Sequence, residues 1–307
     1  LNRIPFFLEK EVNIPEIRFY VVPDGILGLD QYFNNELDVL APIFIQIPVN
    51  ELPMIRVNPR LRKEHTQFVG NTIYSIRFNI NYPPVDETLI RKAIIQSIDK
   101  YKLTTIVTRG GEYMVNSFIP PKEYVDLKNC ININYKPAQA QTRLSETGYP
   151  DGVGFPKLFI SYEGAEYEKN IAQGLGAIIS KNLNIDVELT ENEKSHIVLV
   201  KRKASYYPGE YLSDLFMPNP LDNQISQSYK KIEILFNQMM LEIDSEKTLN
   251  LVKQAEKIMI QNEAVAMPLF VTNDHYLVNT RVKGWKNRFK GQHHLWQWSL
   301  QKGMNIK

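Results

Sequence analysis

The sequence predicts an α/β fold, on three observations. Strand-like and helix-like apolar periods alternate between residues 15 and 40, and again between 157 and 200. Glycine and proline punctuate the segments instead of interrupting them. With 307 residues and 43% hydrophobic content, the chain can bury a large core and divide into two domains.

The elements follow in order. Residues 15–22, PEIRFYVV, alternate and are β-branched or aromatic, which predicts a strand. Asp24 stands at an N-cap position before GILGLDQYFNN, whose apolar residues recur at helical spacing. Residues 36–40, ELDVL, read as a short strand. Residues 72–80, TIYSIRFNI, read as a strand that Tyr82-Pro83-Pro84 stops, because proline cannot continue a ladder and restricts the residue before it. Asp86 is placed to cap a helix running to about Tyr101. Leu89, Ala93, Ile94, Ser97 and Ile98 line one face of it; Arg91, Lys92, Gln96 and Lys100 lie on the other.

Residues 137–147 read as a helix opened by Pro137 and closed by Gly148. Strands are expected at 157–162, 184–189 and 197–200, with an amphipathic helix over 165–182. Two helical segments in 229–262 part near Asp244-Ser245. AVAMPLFVT, 264–272, reads as a strand, and the tail alternates through Trp296-Gln297-Trp298 to Leu300. Neither a repeat nor a low-complexity linker is visible, so domain crossings are expected to be short strands.

Composition narrows the function. Thirty-six basic residues against 34 acidic leave a net charge of +2, without a polybasic run, which argues against nucleic-acid binding by bulk electrostatics. A single cysteine, Cys130, excludes an internal disulfide framework and a multi-cysteine metal site. The longest apolar stretches fall short of the roughly 18 residues needed to span a bilayer. The chain opens on Leu1, and a signal segment is not visible in it.

Candidate chemistry is sparse. His293-His294 are adjacent, so on a strand they point to opposite faces and make a poor metal pair. His65, His196 and His275 are isolated and read as surface or cap residues. Glu163, Glu166 and Glu168 read as the solvated start of a helix, where negative charge is favoured. GxSxG, phosphate-loop and dinucleotide fingerprints are lacking, so neither an enzyme nor a cofactor nor a metal is expected. Trp285, Trp296 and Trp298 are expected in core packing.

Six segments in order carry a family resemblance: IPEIRFYVVPDGILGLDQYFNNELDVL, TIYSIRFNINYPPVDETLIRKAIIQSID, GGEYMVNSFIPP, KPAQAQTRLSETGYPDGVGFPKLFISY, DSEKTLNLVKQAEKIMIQNEAVAMPLF and HYLVNTRVKGW. Together they resemble the C-terminal portion of family 5 extracellular solute-binding proteins, the oligopeptide, dipeptide and nickel type that serve ABC importers. The resemblance implies a two-lobed, type II periplasmic-binding-protein-like clamp with an incomplete first lobe. It places that partial lobe at 1–78, a second α/β lobe at 79–267, and a return to the first lobe at 268–307. Family members are longer, so the rest of the first lobe and a secretion signal are expected outside this chain.

By the same resemblance the partners are a small solute, such as an oligopeptide, and the permease subunits of an ABC transporter. The protein is expected to be a monomer outside the cytoplasmic membrane, periplasmic or lipid-anchored. Two other readings stay open: the solute-sensing domain of a transcriptional regulator, and a surface lipoprotein with an interaction role.

The ligand segment departs from the family pattern. Peptide binders carry a W-x-x-D-Y-type motif whose acid pairs with the peptide ammonium. Here RKASYYPGEYLSDLF puts Arg202 where the Trp would be and Ser205 where the Asp would be. That reverses the local charge preference, toward a neutral or anionic solute or toward loss of binding. The ligand-binding candidates are Asn116 and Ser117 on the glycine-hinged loop, with Arg202, Ser205, Tyr206 and Tyr207.

Overall fold

The computed structural model describes residues 14, 16–41, 45, 47–110, 112–119, 134–164, 166–191, 195–203, 227–285 and 295–301. Its contacts divide the chain into one unit of residues 1–70 with 273–307 and a second of residues 71–272. In chain order the principal elements are α1 (Gly25–Phe33), β1 (Val39–Leu40), α2 (Leu52–Val57), α3 (Pro59–Glu64), β2 (His65–Phe78), α4 (Thr88–Ser97), α5 (Lys100–Lys102) and β3 (Tyr113–Met114). There follow α6 (Pro137–Glu146), β4 (Leu158–Tyr162), α7 (Glu166–Leu183), β5 (Val187–Leu189), β6 (Ile197–Lys203), α8 (Gln227–Leu241), α9 (Ser245–Glu256), β7 (Ala266–Val278), β8 (Val282–Lys283) and β9 (Ser299–Leu300). The divisions fall inside β2, after Gly70, and inside β7, after Thr272. Both strands run well past their sequence patterns.

In the first unit Asp24 caps α1 as its position suggests, accepting from Leu27 N at 2.8 Å. Asn58 caps α3 in the same way, accepting from the amides of Arg60 and Leu61. Leu29, Tyr32, Leu52, Ile55, Leu61 and Leu277 form the core. The Tyr32 hydroxyl donates to the buried Glu64 carboxylate at 3.0 Å, so the core polar pair is satisfied. β1 pairs antiparallel with the end of β7, and β8 with β9.

Two readings are corrected here. The described residues of 16–22 are not in a strand, and Phe19, Tyr20 and Val21 are exposed. Alternation favours extended backbone, but a strand also needs a partner ladder. His65 and His275 are not isolated: their rings stack, with Nε2 and Nδ1 3.1 Å apart. Burial first, then His65 and Arg56, pushes His275 down to about 4. Trp285 packs on Phe68 and Tyr276, as core packing requires. A groove of about 460 Å³ lies in this unit, lined in part by Ile17, Phe19, Tyr20, Leu37, Leu40 and Trp298.

The second unit is an α/β layer. Its strands run in the order β3, β7, β2, β6, β4, β5. β2 pairs antiparallel with β6, and β4 lies parallel to both β5 and β6. The parallel strands are joined by α7, as a βαβ unit demands. One apolar cluster packs α4, α6 and α7 on the sheet, with Ile94, Leu144, Leu175 and Ile160 inside it. A second joins α8 and α9 to Phe118 and Ile119. Asp244 caps α9, accepting from the amides of Glu246 and Lys247.

The polar face assigned to α4 is corrected. Arg91 is 3% exposed and Gln96 6%. The Arg91 guanidinium donates to the carbonyls of Val85, Asp86 and Glu263 and to the Thr88 hydroxyl, at 2.6–3.0 Å. It ties the start of α4 to the loop before β7, and the helix is capped at Glu87, without a side-chain bond from Asp86. Asp99, not Asp86, caps a following turn, accepting from Lys102 N. Cys130 and His293-His294 lie outside the described residues.

Arg91→Ala removes donors from three carbonyls in a closed environment. It is expected to cost about 3–5 kcal/mol of unfolding free energy at unchanged m-value in urea. A loss under about 1 kcal/mol would show that water replaces the guanidinium there.

Candidate functional site

The segment from Thr108 to Ile119 is held at both ends by side chains from other elements. At its start, the buried Glu112 carboxylate accepts from the Tyr167 hydroxyl at 2.9 Å and from the Thr108 hydroxyl. A Cβ at Gly110 would meet the Glu112 carboxylate at 2.5–3.1 Å, so a side chain there would push that carboxylate aside. β3 then pairs antiparallel with β7, Tyr113 opposite Val271 and Met114 opposite Phe270. Val115 N donates to Leu269 O, extending the pairing by one bond.

Two ionisable groups fix the remainder. The Lys100 ammonium donates to Val115 O at 2.7 Å and to Asn116 Oδ1 at 3.1 Å. Burial pushes Lys100 down to about 7. One Glu256 oxygen accepts from the Ser117 hydroxyl at 2.6 Å and from Phe118 N at 2.7 Å. Burial pushes Glu256 up to about 7, against those two bonds. Ser117 Oγ in turn accepts from Ile119 N. Both anchors adjoin wide π turns, Leu103–Val107 after α5 and Lys257–Asn262 after α9.

A second polar cluster lies on β2, β6 and α7. The Tyr74 hydroxyl donates to Glu168 at 2.7 Å, and the Lys201 ammonium donates to the same oxygen at 2.8 Å. Burial raises Glu168, but Lys201 and Tyr74 outweigh it and hold the carboxyl below its usual range. The Tyr74 ring stacks on Phe270 and meets Tyr167 edge-on, and Lys201 lies 5.9 Å over it. Gly164, at φ 125°, leaves room for the Glu168 carboxylate, which a Cβ would meet at 2.6 Å.

The sequence candidates divide accordingly. Asn116 is half-buried and bonded to Lys100; Ser117 is 2% exposed and bonded to Glu256. These two come together on one fixed loop. Arg202 is exposed on β6, opposite Ile73, with Nη1 3.3 Å from Lys201 O. Ser205, Tyr206 and Tyr207 lie outside the described residues.

Sequence reasoning missed Lys100, Glu112, Glu168, Lys201 and Glu256. It placed Glu168 on a solvated helix start, whereas the residue is 4% exposed and paired. A signal existed for Glu256: it shares a helical face with Val252, Ala255 and Met259, all fully buried. Among the described residues, groups of three or more His, Cys, Asp or Glu that could hold a metal are absent, and so is a helix long and apolar enough to cross a membrane.

Residues 2–225 match the family described as bacterial extracellular solute-binding proteins, family 5, middle region, and the chain belongs to that family. It is 25% identical over 294 residues to the oligopeptide-binding protein OppA of Bacillus subtilis, covering 90% of this chain and 53% of that protein. Among solved structures, it is similar to a periplasmic oligopeptide-binding protein (OppAIV) of Borrelia burgdorferi: TM-score 0.67, 23% identity, 92% of this chain and 58% of the other. NikA of Brucella suis, solved with Fe(III)-EDTA, gives TM-score 0.74 at 17% identity, over 92% of this chain and 61% of the other. These likenesses place the fold among the two-lobed, type II binding proteins. The chain spans about half the length of the relatives it matches.

The buried anchors make stability pH-dependent. Glu256 binds its proton more tightly folded than unfolded, so its contribution is full below about pH 4.5 and fades as pH rises to about 7. Lys100 releases its proton more readily folded, so stability rises again from about pH 7 to 10.5. In urea titrations, the stability difference between wild type and Glu256→Gln should fall by up to about 3 kcal/mol from pH 4.5 to 7, then stay level. A flat difference would mean that Glu256 titrates as a solvated carboxyl.

Proposed function

We propose that the chain is part of the substrate-binding component of a peptide-type ABC importer. In that role it closes two lobes on a small solute outside the cytoplasmic membrane and delivers it, unreacted, to the permease. The family match over residues 2–225 carries this reading. Relatives named as oligopeptide- and dipeptide-binding proteins support it. The two units of the chain are proposed as the two lobes.

The proposed ligand segment selects against a peptide ammonium. Lys201, Arg202 and Lys203 are all exposed at the end of β6, and Lys201 is paired with Glu168 at 2.8 Å. In that segment Ser205 stands where peptide binders of the family present an acid, so the local field lacks the carboxylate that would pair with a peptide ammonium. A solute with a neutral or anionic end group fits that field better.

Calorimetry with trialanine and its N-acetylated form tests the reading. The wild-type chain is expected to bind the acetylated form at least as tightly as the free one. Ser205→Asp should shift the preference toward the free ammonium about tenfold or more. Failure of the wild type to take up either peptide, or a strong wild-type preference for the free ammonium, would contradict it.

A further inference from the structure

The bonds around residues 115–118 are asymmetric in a way that bears on recognition. An ammonium can only donate. Lys100 therefore holds the Asn116 carboxamide by its oxygen, at 3.1 Å, and steadies the backbone through Val115 O at 2.7 Å. The Nδ2 group, the opposite branch of that amide, is the donor this side chain has to offer. A carboxyl group accepts through its carbonyl oxygen whether or not it is ionised. Glu256 takes the Ser117 hydroxyl at 2.6 Å and the Phe118 amide at 2.7 Å. Phe118 and Ile119 are sunk in the core with α8 and α9, so the segment cannot slide.

The other end is equally fixed, by Glu112 and its bonds to Thr108 and Tyr167. Between the two anchorages Tyr113 and Met114 are 53% and 45% exposed. Adjacent strand residues point to opposite faces, so β3 shows both faces beyond the layers that cover the rest of the sheet. A short edge strand with nothing to do but pack would not need a lysine and a glutamate inside the protein to hold it. Each costs desolvation energy, and each spends its hydrogen bonds on this one segment.

We infer that Lys100 and Glu256 are positioning residues that preset Asn116 as a hydrogen-bond donor to an acceptor group, carbonyl or carboxylate, on the solute. The inference rests on the solute-binding reading and deepens it: it names the solute group that the loop recognises. Lys100 sets the orientation of the amide, and Glu256 sets the height of the loop. A preset donor loses no rotamer freedom on binding, which is where its affinity gain comes from.

The test uses the whole chain, with N-acetyl-trialanine as probe, and reads binding by calorimetry, stability in urea and amide exchange by mass spectrometry. Asn116→Asp gives Lys100 an ionic partner but replaces the Nδ2 donor with an acceptor. It should keep or raise stability and weaken probe binding tenfold or more; a loop with a merely structural role would bind the probe unchanged. Glu256→Gln retains an accepting oxygen and should bind within about twofold of wild type. Glu256→Leu should speed exchange at residues 115–119 tenfold or more while β4 keeps its protection.

Unchanged probe binding in Asn116→Asp, or unchanged exchange at 115–119 in Glu256→Leu, overturns the inference. If the wild-type chain takes up no probe, the solute-binding reading falls and the donor role falls with it. The exchange result then still decides whether Glu256 holds the loop, so the two failures are distinguishable.

Discussion

A charge taken into a protein interior must be answered by an opposite charge or by oriented dipoles. In the second unit three such groups, Arg91, Lys100 and Glu256, are answered by backbone and neutral side chains together. Arg91 takes the carbonyls of Val85, Asp86 and Glu263. Lys100 takes Val115 O, and Glu256 takes Phe118 N. Each of the three sits on or beside a helix, and each grips an irregular segment remote in sequence or just outside its own helix. Loops that would otherwise carry unpaired backbone groups are thereby fixed to the helical layer.

This arrangement explains why the loop between α5 and α6 can be ordered where it meets the sheet. Its pairing with β7 extends over Tyr113 and Met114 and one further bond at Val115. Two ladder residues alone are weak support. The half-buried lysine and the buried glutamate supply what the short ladder lacks. Beside them, the Tyr74–Glu168–Lys201 cluster pins the end of β6 to β2 and α7. Lys201 is thus held in place at the end of β6, where the proposed ligand segment begins.

The fold class and most elements were legible in the sequence because they rest on apolar period and local caps. Asp24 caps as its position suggests, the break expected near Asp244-Ser245 falls where α9 begins, and Pro137 opens a helix that runs to Glu146. The errors have a common cause. Arg91 and Gln96 were read as a solvated face because they are polar, yet a long polar side chain can reach inward once another segment offers it acceptors. Glu263, which supplies one carbonyl to Arg91, lies 172 residues away. Glu168 and Lys201 meet only because α7 and β6 are brought together by the βαβ crossover. Ser117 is a ligand-binding candidate by its loop, and its hydroxyl is bonded to Glu256, 139 residues distant, so sequence pattern does not tell an anchor from a contact. The strand expected at 15–22 failed for the complementary reason: propensity without a neighbouring ladder does not make a sheet.

The loop's proposed role requires the Lys100 ammonium to be drawn out of water and to grip the loop. A carbon-detected NMR titration of the Lys100 side chain in the folded chain measures that directly. A midpoint near 7 is expected, far below an exposed lysine, with the Val115 and Asn116 resonances shifting at the same pH. A midpoint near 10.4, with those residues silent, would place the ammonium in water and remove the anchor on which the loop's proposed role rests.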